Sequence, residues 1–203
     1  PGIAKYMQTD ARNILERSSA RESAARVAAG AVARRFLEEF GIQVNGHVLC
    51  IGGIHAQIPG MIDWESLEAT PYHRENTDGS KIAAVRCADP VAATRMIDEI
   101  DSAREAGDSL GGIIEVIVTG LPIGLGSHIQ WDRKLTTRLG AAVMSINAVK
   151  GVEFGAGFTQ ADLRGSQVHD VIKPQSEWEK NKEGWLNPWP RRTNNSGGLE
   201  GGM

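Results

Sequence analysis

The chain has 203 residues, of which 41% are hydrophobic and 23% are charged, and its formal net charge is −3. This composition is typical of a soluble globular protein with a substantial core, and it gives no electrostatic reason to expect nucleic-acid binding. No apolar run approaches the roughly 18 residues that a membrane-spanning helix needs, so we expect no membrane partner either.

The two cysteines, Cys50 and Cys87, stand in unrelated contexts and form no Cys-x-x-Cys motif. Isolated cysteines of this kind are usually buried thiols in a reducing compartment. We therefore expect a cytoplasmic protein with free, buried cysteines.

The strongest helix signal lies near the start of the chain. Residues 12–40 are rich in alanine and lack proline, and Gly41 follows them as a natural helix C-cap. Ser19 and Glu22 have the spacing of a capping box, in which each side chain bonds the other residue's backbone N–H. We therefore predict that the helix proper starts at Ala20.

Other elements follow along the chain. Alternating strands and helices usually indicate parallel βαβ units, but these strands are few for a doubly wound sheet. The helices are predicted from a proline in the first turn or from apolar residues at helical spacing. The strands are predicted from runs of β-branched residues. We predict a buried strand at 47–54, loops over 57–81, a helix over 90–106, a strand at 113–119, a helix over 132–147 and a short strand at 151–155.

A candidate anion site lies at the predicted helix start. If Ser19 caps the helix, the first-turn N–H groups and the positive end of the helix dipole are free for a phosphate, beside the guanidinium groups of Arg17 and Arg21. The alternative is an ordinary capped helix whose arginines pair with Glu16 and Glu22 in solvent. Composition alone favours the ordinary helix slightly.

Asn147 lies where the third predicted helix ends and small residues follow. An asparagine in this position is usually a turn former. Its amide could also bond the carbonyl and N–H edge of a heterocycle. Both interpretations stay open from the residues alone.

The glycine-rich stretch 194–202 also allows two interpretations. It could be a flexible linker. Its glycines could instead let the backbone approach a flat or charged ligand.

Several common motifs are absent from the sequence. The Gly-x-Gly pairs at 124–126 and 155–157 lack the third glycine of the dinucleotide fingerprint, and there is no P-loop and no Gly-x-Ser-x-Gly elbow. The five histidines show no metal-ligand spacing, so we predict no metal site.

Six stretches resemble the signature motifs of chorismate synthases almost letter for letter. They occur in the family's order and cover nearly the whole chain. The stretches are residues 17–31, 107–112, 120–126, 144–155, 163–166 and 197–203.

The resemblance implies a carbon–oxygen lyase of the shikimate pathway of aromatic amino acid biosynthesis, which converts 5-enolpyruvylshikimate 3-phosphate to chorismate and phosphate by 1,4-elimination. The family requires reduced FMN, and the resemblance leaves open whether the protein reduces its own flavin with NADPH. Arg21 is implied to reach substrate anions. The implied flavin contacts are Arg17, Ser18, Ser19, Asn147, Ala148 and Gly201.

The resemblance also implies an α+β fold, a layered β-α-β sandwich in which helices pack between sheets, and a homotetramer. Residues 1–203 are expected to be a single domain, the incomplete central part of a chorismate synthase.

The sequence departs from the family pattern by lacking the histidine and Arg-His-Asp-Pro motifs that supply proton transfer. We therefore assign no catalytic residue, and we expect these 203 residues alone to lack turnover. The alternative is a non-catalytic flavin- or phosphate-binding scaffold of the same fold. The tryptophan-bearing stretch 177–192 is longer than its family counterpart, and we expect it to cover the flavin or to contact another subunit.

Overall fold

The structure is a computed structural model that describes residues 1–58, 60–69, 72–75, 81–83, 85–178 and 189–203. The chain divides into two compact units, one formed by residues 1–30 and 122–203 and the other by residues 31–121. The single domain expected over residues 1–203 stays a prediction.

The secondary structure combines helices with short antiparallel strands, which is an α+β arrangement. Short 3₁₀ turns occupy Trp131–Arg133, Gly157–Asp162 and Gln175–Glu177. The helices are α1 (Gly2–Tyr6), α2 (Arg12–Ser18), α3 (Glu22–Glu38), α4 (Trp64–Ala69), α5 (Pro90–Glu105), α6 (Leu135–Met144) and α7 (Gly165–Val168). The strands are β1 (Gln43–Ile51), β2 (Ile54–His55), β3 (Tyr72–Glu75), β4 (Lys81–Ala83) and β5 (Gly112–Thr119).

The helical region predicted at 12–40 is divided into α2 and α3, and the helix predicted to start at Ala20 starts at Glu22 as α3. The predicted capping box does not form. The Ser19 backbone N–H donates to the Leu15 carbonyl at 2.8 Å and so ends α2. The Glu22 side chain accepts a bond from the Arg26 guanidinium at 2.7 Å instead of bonding Ser19. The break at 19–21 therefore exposes a short non-helical segment between two helices.

The predicted end of this helical region is confirmed at Gly41. Its φ of 74° is left-handed, and its N–H donates to the Glu38 carbonyl at 2.9 Å. The Ile42 N–H reaches back to the Leu37 carbonyl at 3.1 Å, which completes a Schellman motif. Glycine accepts this conformation without the steric cost that a Cβ would add.

In the unit 31–121, β1 lies at the centre of a three-stranded antiparallel sheet ordered β2-β1-β5. Gly52 and Gly53, both at positive φ, close the predicted buried strand and turn it into β2. Across the sheet, the buried His47 imidazole lies 2.7 Å from the Glu115 carboxylate on β5. The sheet is antiparallel, so it contains none of the parallel βαβ units that the alternation of elements suggested.

Helix α5 supplies the core of this unit. Its side chains at Ala92, Ala93 and Met96 pack with Cys87 and are covered by partly buried residues of β1 and β2. Cys50 and Cys87 are both buried and free, as predicted.

The start of α5 is also as predicted. The carboxylate of Asp89 accepts bonds from the N–H groups of Val91 and Ala92 and from that of Gln57. These bonds, with the Gln57 N–H the strongest cause, lower the pKa of Asp89. Pro90 begins the helix, where a missing N–H costs nothing.

Three local predictions differ from the structure. The region 57–81 contains α4, β3 and the first residue of β4 in addition to loops, and Asp63 caps α4 through the Ser66 N–H. The helix predicted over 132–147 is α6 alone, preceded by a 3₁₀ turn. The strand predicted at 151–155 is not a strand, because this stretch packs against the chain end instead of entering a ladder.

Candidate functional site

Two of the predicted site segments meet in the structure. The Asn147 side-chain amide donates to the Ser19 carbonyl at 3.4 Å, across 128 residues of sequence. Ser19 lies at the break between α2 and α3, and Asn147 lies in the turn that follows α6. Ala148, the next residue, has a left-handed φ of 70°, which is uncommon for a residue with a Cβ. The turn is thus held in a special conformation beside the helix break.

A second bond ties the same two segments together. The Arg26 guanidinium donates to the Ser145 hydroxyl at 2.7 Å, and that hydroxyl donates to the Ala142 carbonyl at 2.6 Å. Arg26 also holds Glu22, so one arginine joins the first turn of α3 to the last turn of α6. Within the described part of the chain, the Ser19–Asn147 contact is therefore one of two side-chain hydrogen bonds that join these segments.

The two predicted anion-binding arginines are exposed, and the described residues offer neither of them an ion-pair partner. Within the part of the chain that the structure describes, neither Arg17 nor Arg21 has a carboxylate within ion-pair distance. Glu22, one of the partners considered for them, is occupied by Arg26. The ordinary solvent-exposed pairing with Glu16 and Glu22 is therefore not the arrangement seen, and both guanidinium groups are available to a ligand.

The expected free N–H groups at the helix start are not available. The Arg21 N–H donates to the Ser19 hydroxyl at 3.2 Å, and the Glu22 N–H donates to the Ser19 carbonyl at 3.1 Å. The next two N–H groups, of Ser23 and Ala24, bond carbonyls three residues earlier. This part of the prediction is wrong, because the N–H groups of residues 21–24 already bond acceptors within residues 19–21. Anion binding here depends on side chains.

Ser18 and Ser19 differ in their environments. The Ser18 hydroxyl donates to the Ile14 carbonyl at 3.0 Å, one helical turn back. Its oxygen keeps lone pairs that can accept from a ligand. The Ser19 hydroxyl already accepts from a backbone N–H but still has its own proton to donate. The pair therefore offers one acceptor and one donor.

The glycine-rich stretch 194–202 is not a free linker. The Asp170 carboxylate accepts the Thr193 hydroxyl at 2.5 Å and the N–H groups of Asn195 and Ser196, each at 2.8 Å. Farther along, Arg191 forms an ion pair with Glu200. These bonds hold both ends of the stretch.

Asp170 was missed by the sequence reasoning. Its partners follow it by 23 to 26 residues, so no local spacing points to it. Desolvation alone would raise the pKa of Asp170, but the bonds from Thr193, Ser196 and Asn195 outweigh it and lower the pKa to about 2. The Asp170 carboxylate is therefore charged at neutral pH while it accepts the bonds from residues 193–196.

The Asp170 bonds should make stability depend on acidity. A carboxyl group whose pKa is lowered on folding, here from 3.8 to about 2, stabilises the protein above its unfolded pKa and loses that contribution as the pH falls toward its folded pKa. We expect Asp170→Asn to cost about 2 kcal/mol of unfolding free energy at neutral pH. Urea denaturation should show the gap between wild type and variant closing as the pH falls from 3.8 to about 2. A gap that stays constant with pH would contradict a role for the charge.

Gly201, the last predicted flavin contact, lies at the other end of α6. Its neighbour Gly202 accepts the Leu135 N–H at 2.7 Å, and the stem of Lys134 packs against Gly202. Helix α6 rises about 15 Å over its length, so Gly201 and Asn147 are separated by roughly that distance. One ligand can reach both positions only if it is extended along α6.

The tryptophan-bearing stretch 177–192 falls mostly outside the described residues, which omit 179–188. At its base, Trp178 and Trp189 pack edge to face with ring centres 5.3 Å apart. Among the described residues, no group of histidine, cysteine and carboxylate side chains could hold a metal ion, and no helix is both long and apolar enough to cross a bilayer.

Comparison with known proteins gives a consistent family assignment. The profile of the chorismate synthase family matches residues 1–203. The chorismate synthase of Geobacillus sp. (strain WCH70) is 52% identical over 202 residues, covering 100% of this chain and 47% of that protein. That of Geobacter metallireducens is 51% identical over 203 residues, covering 100% of this chain and 49% of the relative.

A crystal structure of chorismate synthase superposes with a TM-score of 0.76 at 43% identity, covering 99% of this chain and 56% of that one. The chain therefore spans about half the length of the curated relatives it matches. The predicted family and its α+β fold are confirmed. The chain belongs to the chorismate synthase family.

Proposed function

We propose that the protein acts as a chorismate synthase, converting 5-enolpyruvylshikimate 3-phosphate to chorismate and inorganic phosphate with reduced FMN. The family assignment supports the reaction class. The main support for the site is the hydrogen bond from Asn147 to Ser19. It brings two distant family motifs together beside Arg17 and Arg21, for which the described residues supply no carboxylate partner. We further propose a cytoplasmic homotetramer, as the family resemblance implies.

The residues of the cluster fit a flat, anionic cofactor. Arg17 and Arg21 offer charged donors that no carboxylate in the described chain neutralises. The Ser19 hydroxyl adds a neutral donor, and the Asn147 amide, whose nitrogen lies 3.4 Å from the Ser19 carbonyl oxygen, adds a neutral donor and acceptor. Reduced FMN combines a phosphate with a heterocycle edge, so it needs this mixture of charged and neutral groups.

In this proposal Arg17, Ser18 and Ser19 hold the flavin on one side, and Asn147 with the backbone of Ala148 holds it on the other. Gly201 adds a contact at the far end of α6, where an extended cofactor would reach. When bound, the flavin supplies transient electron density to the substrate.

Arg21 is proposed to bind substrate anions. The elimination breaks one C–O bond and one C–H bond, forms a C=C bond and releases phosphate together with the ring proton, so negative charge develops on the departing phosphate. A guanidinium placed there stabilises that charge more in the transition state than in the ground state. The proposal gives no residue of this chain a proton-transfer role.

The reaction can be tested by incubating the protein expressed from its complete gene with reduced FMN and the enolpyruvyl substrate, anaerobically. Flavin-dependent release of phosphate with chorismate formation is expected. Flavin binding without phosphate release would support the non-catalytic scaffold instead. Absence of both would reject the proposed function.

Changing Arg17 to alanine should weaken binding of reduced FMN by about 1–3 kcal/mol, the range for losing a charge-assisted hydrogen bond. The measurement is an anaerobic titration followed by the flavin spectrum. Arg12→Ala is the matched control, because Arg12 is also exposed on α2 but is bonded to Asp10. Equal affinities of Arg17→Ala and wild type would remove Arg17 from the site.

A further inference from the structure

The Asp170 carboxylate accepts several hydrogen bonds from a segment more than 20 residues farther along the chain. Among the described residues, the bonds it accepts come from one short segment, at Thr193, Asn195 and Ser196. Two of them are backbone N–H groups of consecutive residues, so the carboxylate fixes the direction in which the chain runs on. The segment that starts there is the glycine-rich stretch 197–202.

That stretch is held against the segment that follows Asn147. The Asn195 carbonyl accepts the Ala156 N–H at 2.7 Å and the Gln160 amide at 3.2 Å. Immediately beyond it, Gly197 lies so close to Gly155 that a Cβ on either glycine would overlap the other's backbone. The position of the glycine-rich stretch therefore depends on how residue 195 is held.

A third contact lies at the end of the stretch, where the Gly202 carbonyl accepts the N–H of Leu135. The backbone of 197–202 thus runs between the stretch after Asn147 and the first turn of α6. Gly201 is exposed on this path, whereas Gly202 is buried beneath the Lys134 stem. A small displacement at residue 195 would move the exposed glycine backbone relative to α6.

We infer that Asp170 is a positioning residue for flavin binding, which sets the glycine-rich backbone at 197–202 through Asn195 and Ser196 without touching the cofactor. The inference rests on the proposed function, because it assigns the exposed glycine backbone to the flavin site. Asp170 acts by removing alternative backbone arrangements before the ligand arrives, which lowers the ordering cost of binding.

The experiment compares Asp170→Asn with Asp89→Asn. Asp89 is a matched control, since its carboxylate also accepts N–H groups of nearby backbone, but it caps α5 in the unit 31–121. Two quantities are measured for each variant at a temperature where it is folded. These are the amide hydrogen-exchange rates of residues 195–203 and the dissociation constant of reduced FMN.

Asp170→Asn is expected to raise exchange across 195–203 and to weaken flavin binding about tenfold, the cost of a misplaced binding element. Asp89→Asn should leave both unchanged. If Asp170→Asn binds flavin as wild type does, the inference is overturned while the proposed function stands. Equal weakening in both variants would reduce the effect to general destabilisation and would overturn it too. A wild-type protein that does not bind reduced FMN would instead refute the proposed function, and the inference with it.

Discussion

Replacing Met96 by alanine is expected to destabilise the protein by about 2–5 kcal/mol, the range for emptying a fully buried site of this size. Met96 is 0% exposed and lies in the core cluster of α5 with Cys87, Ala92 and Ala93. Its cluster neighbours Ala92 and Ala93 have side chains too short to fill the space, so the cavity should persist.

Urea denaturation at neutral pH measures this loss as a lower midpoint with an unchanged slope. Met61→Ala is the matched control, because Met61 is 88% exposed and its truncation removes no buried contact. If the two variants lose the same free energy, α5 does not form the core of the unit 31–121.

Replacing Gly155 by alanine is expected to cost about 3–5 kcal/mol, because overpacking and a left-handed backbone add. The residue has a φ of 58°, and an added Cβ would lie inside van der Waals contact of the Asn195 carbonyl oxygen and the Gly197 nitrogen. Both neighbours are backbone atoms, which cannot rotate away. The backbone of residues 195–197 would have to move away from Gly155.

Gly198→Ala separates the two causes. Gly198 lies in the same stretch with a φ of 77°, but an added Cβ there meets nothing within 4 Å. Only the backbone strain remains, so this variant should lose about 1–2 kcal/mol. Thermal denaturation of both variants measures the difference. Equal losses would mean that Gly155 and Gly197 are not packed together.

Local signals in the sequence predict elements whose determinants lie close together along the chain. Asp89 and Pro90 mark the start of α5 because the cap and the first-turn proline are adjacent. Gly41 marks the end of α3 for the same reason, since the left-handed position directly follows the helix. The antiparallel pairing of β1 with β5 is not visible in this way, because it joins residues that α5 separates.

The break between α2 and α3 shows why the site is harder to predict than the helices. Ser19 and Glu22 satisfy a capping pattern, yet Glu22 bonds Arg26, and Arg26 in turn bonds Ser145 far along the chain. A tertiary partner thus overrides a local preference. The family resemblance named both Ser19 and Asn147, but the bond between them appears only in the folded chain.

The conformation of the glycine-rich stretch 194–202 also depends on a residue that is distant in sequence. Composition alone leaves open whether 194–202 is a linker or an ordered backbone surface, because glycine suits both. The deciding residue is Asp170, whose role depends on partners that the chain brings back after more than 20 residues. Residues of this kind are found from the structure, not from spacing.

The most direct test of the flavin site is an anaerobic titration of this chain with reduced FMN, in the presence and absence of 5-enolpyruvylshikimate 3-phosphate. Wild type should bind reduced FMN, more tightly when the substrate is present, and the double variant Arg17→Ala, Arg21→Ala should lose both the affinity and the enhancement. Absence of flavin binding by wild type, or binding that is the same in wild type and the double variant, would contradict the assignment of this cluster as the flavin and substrate site.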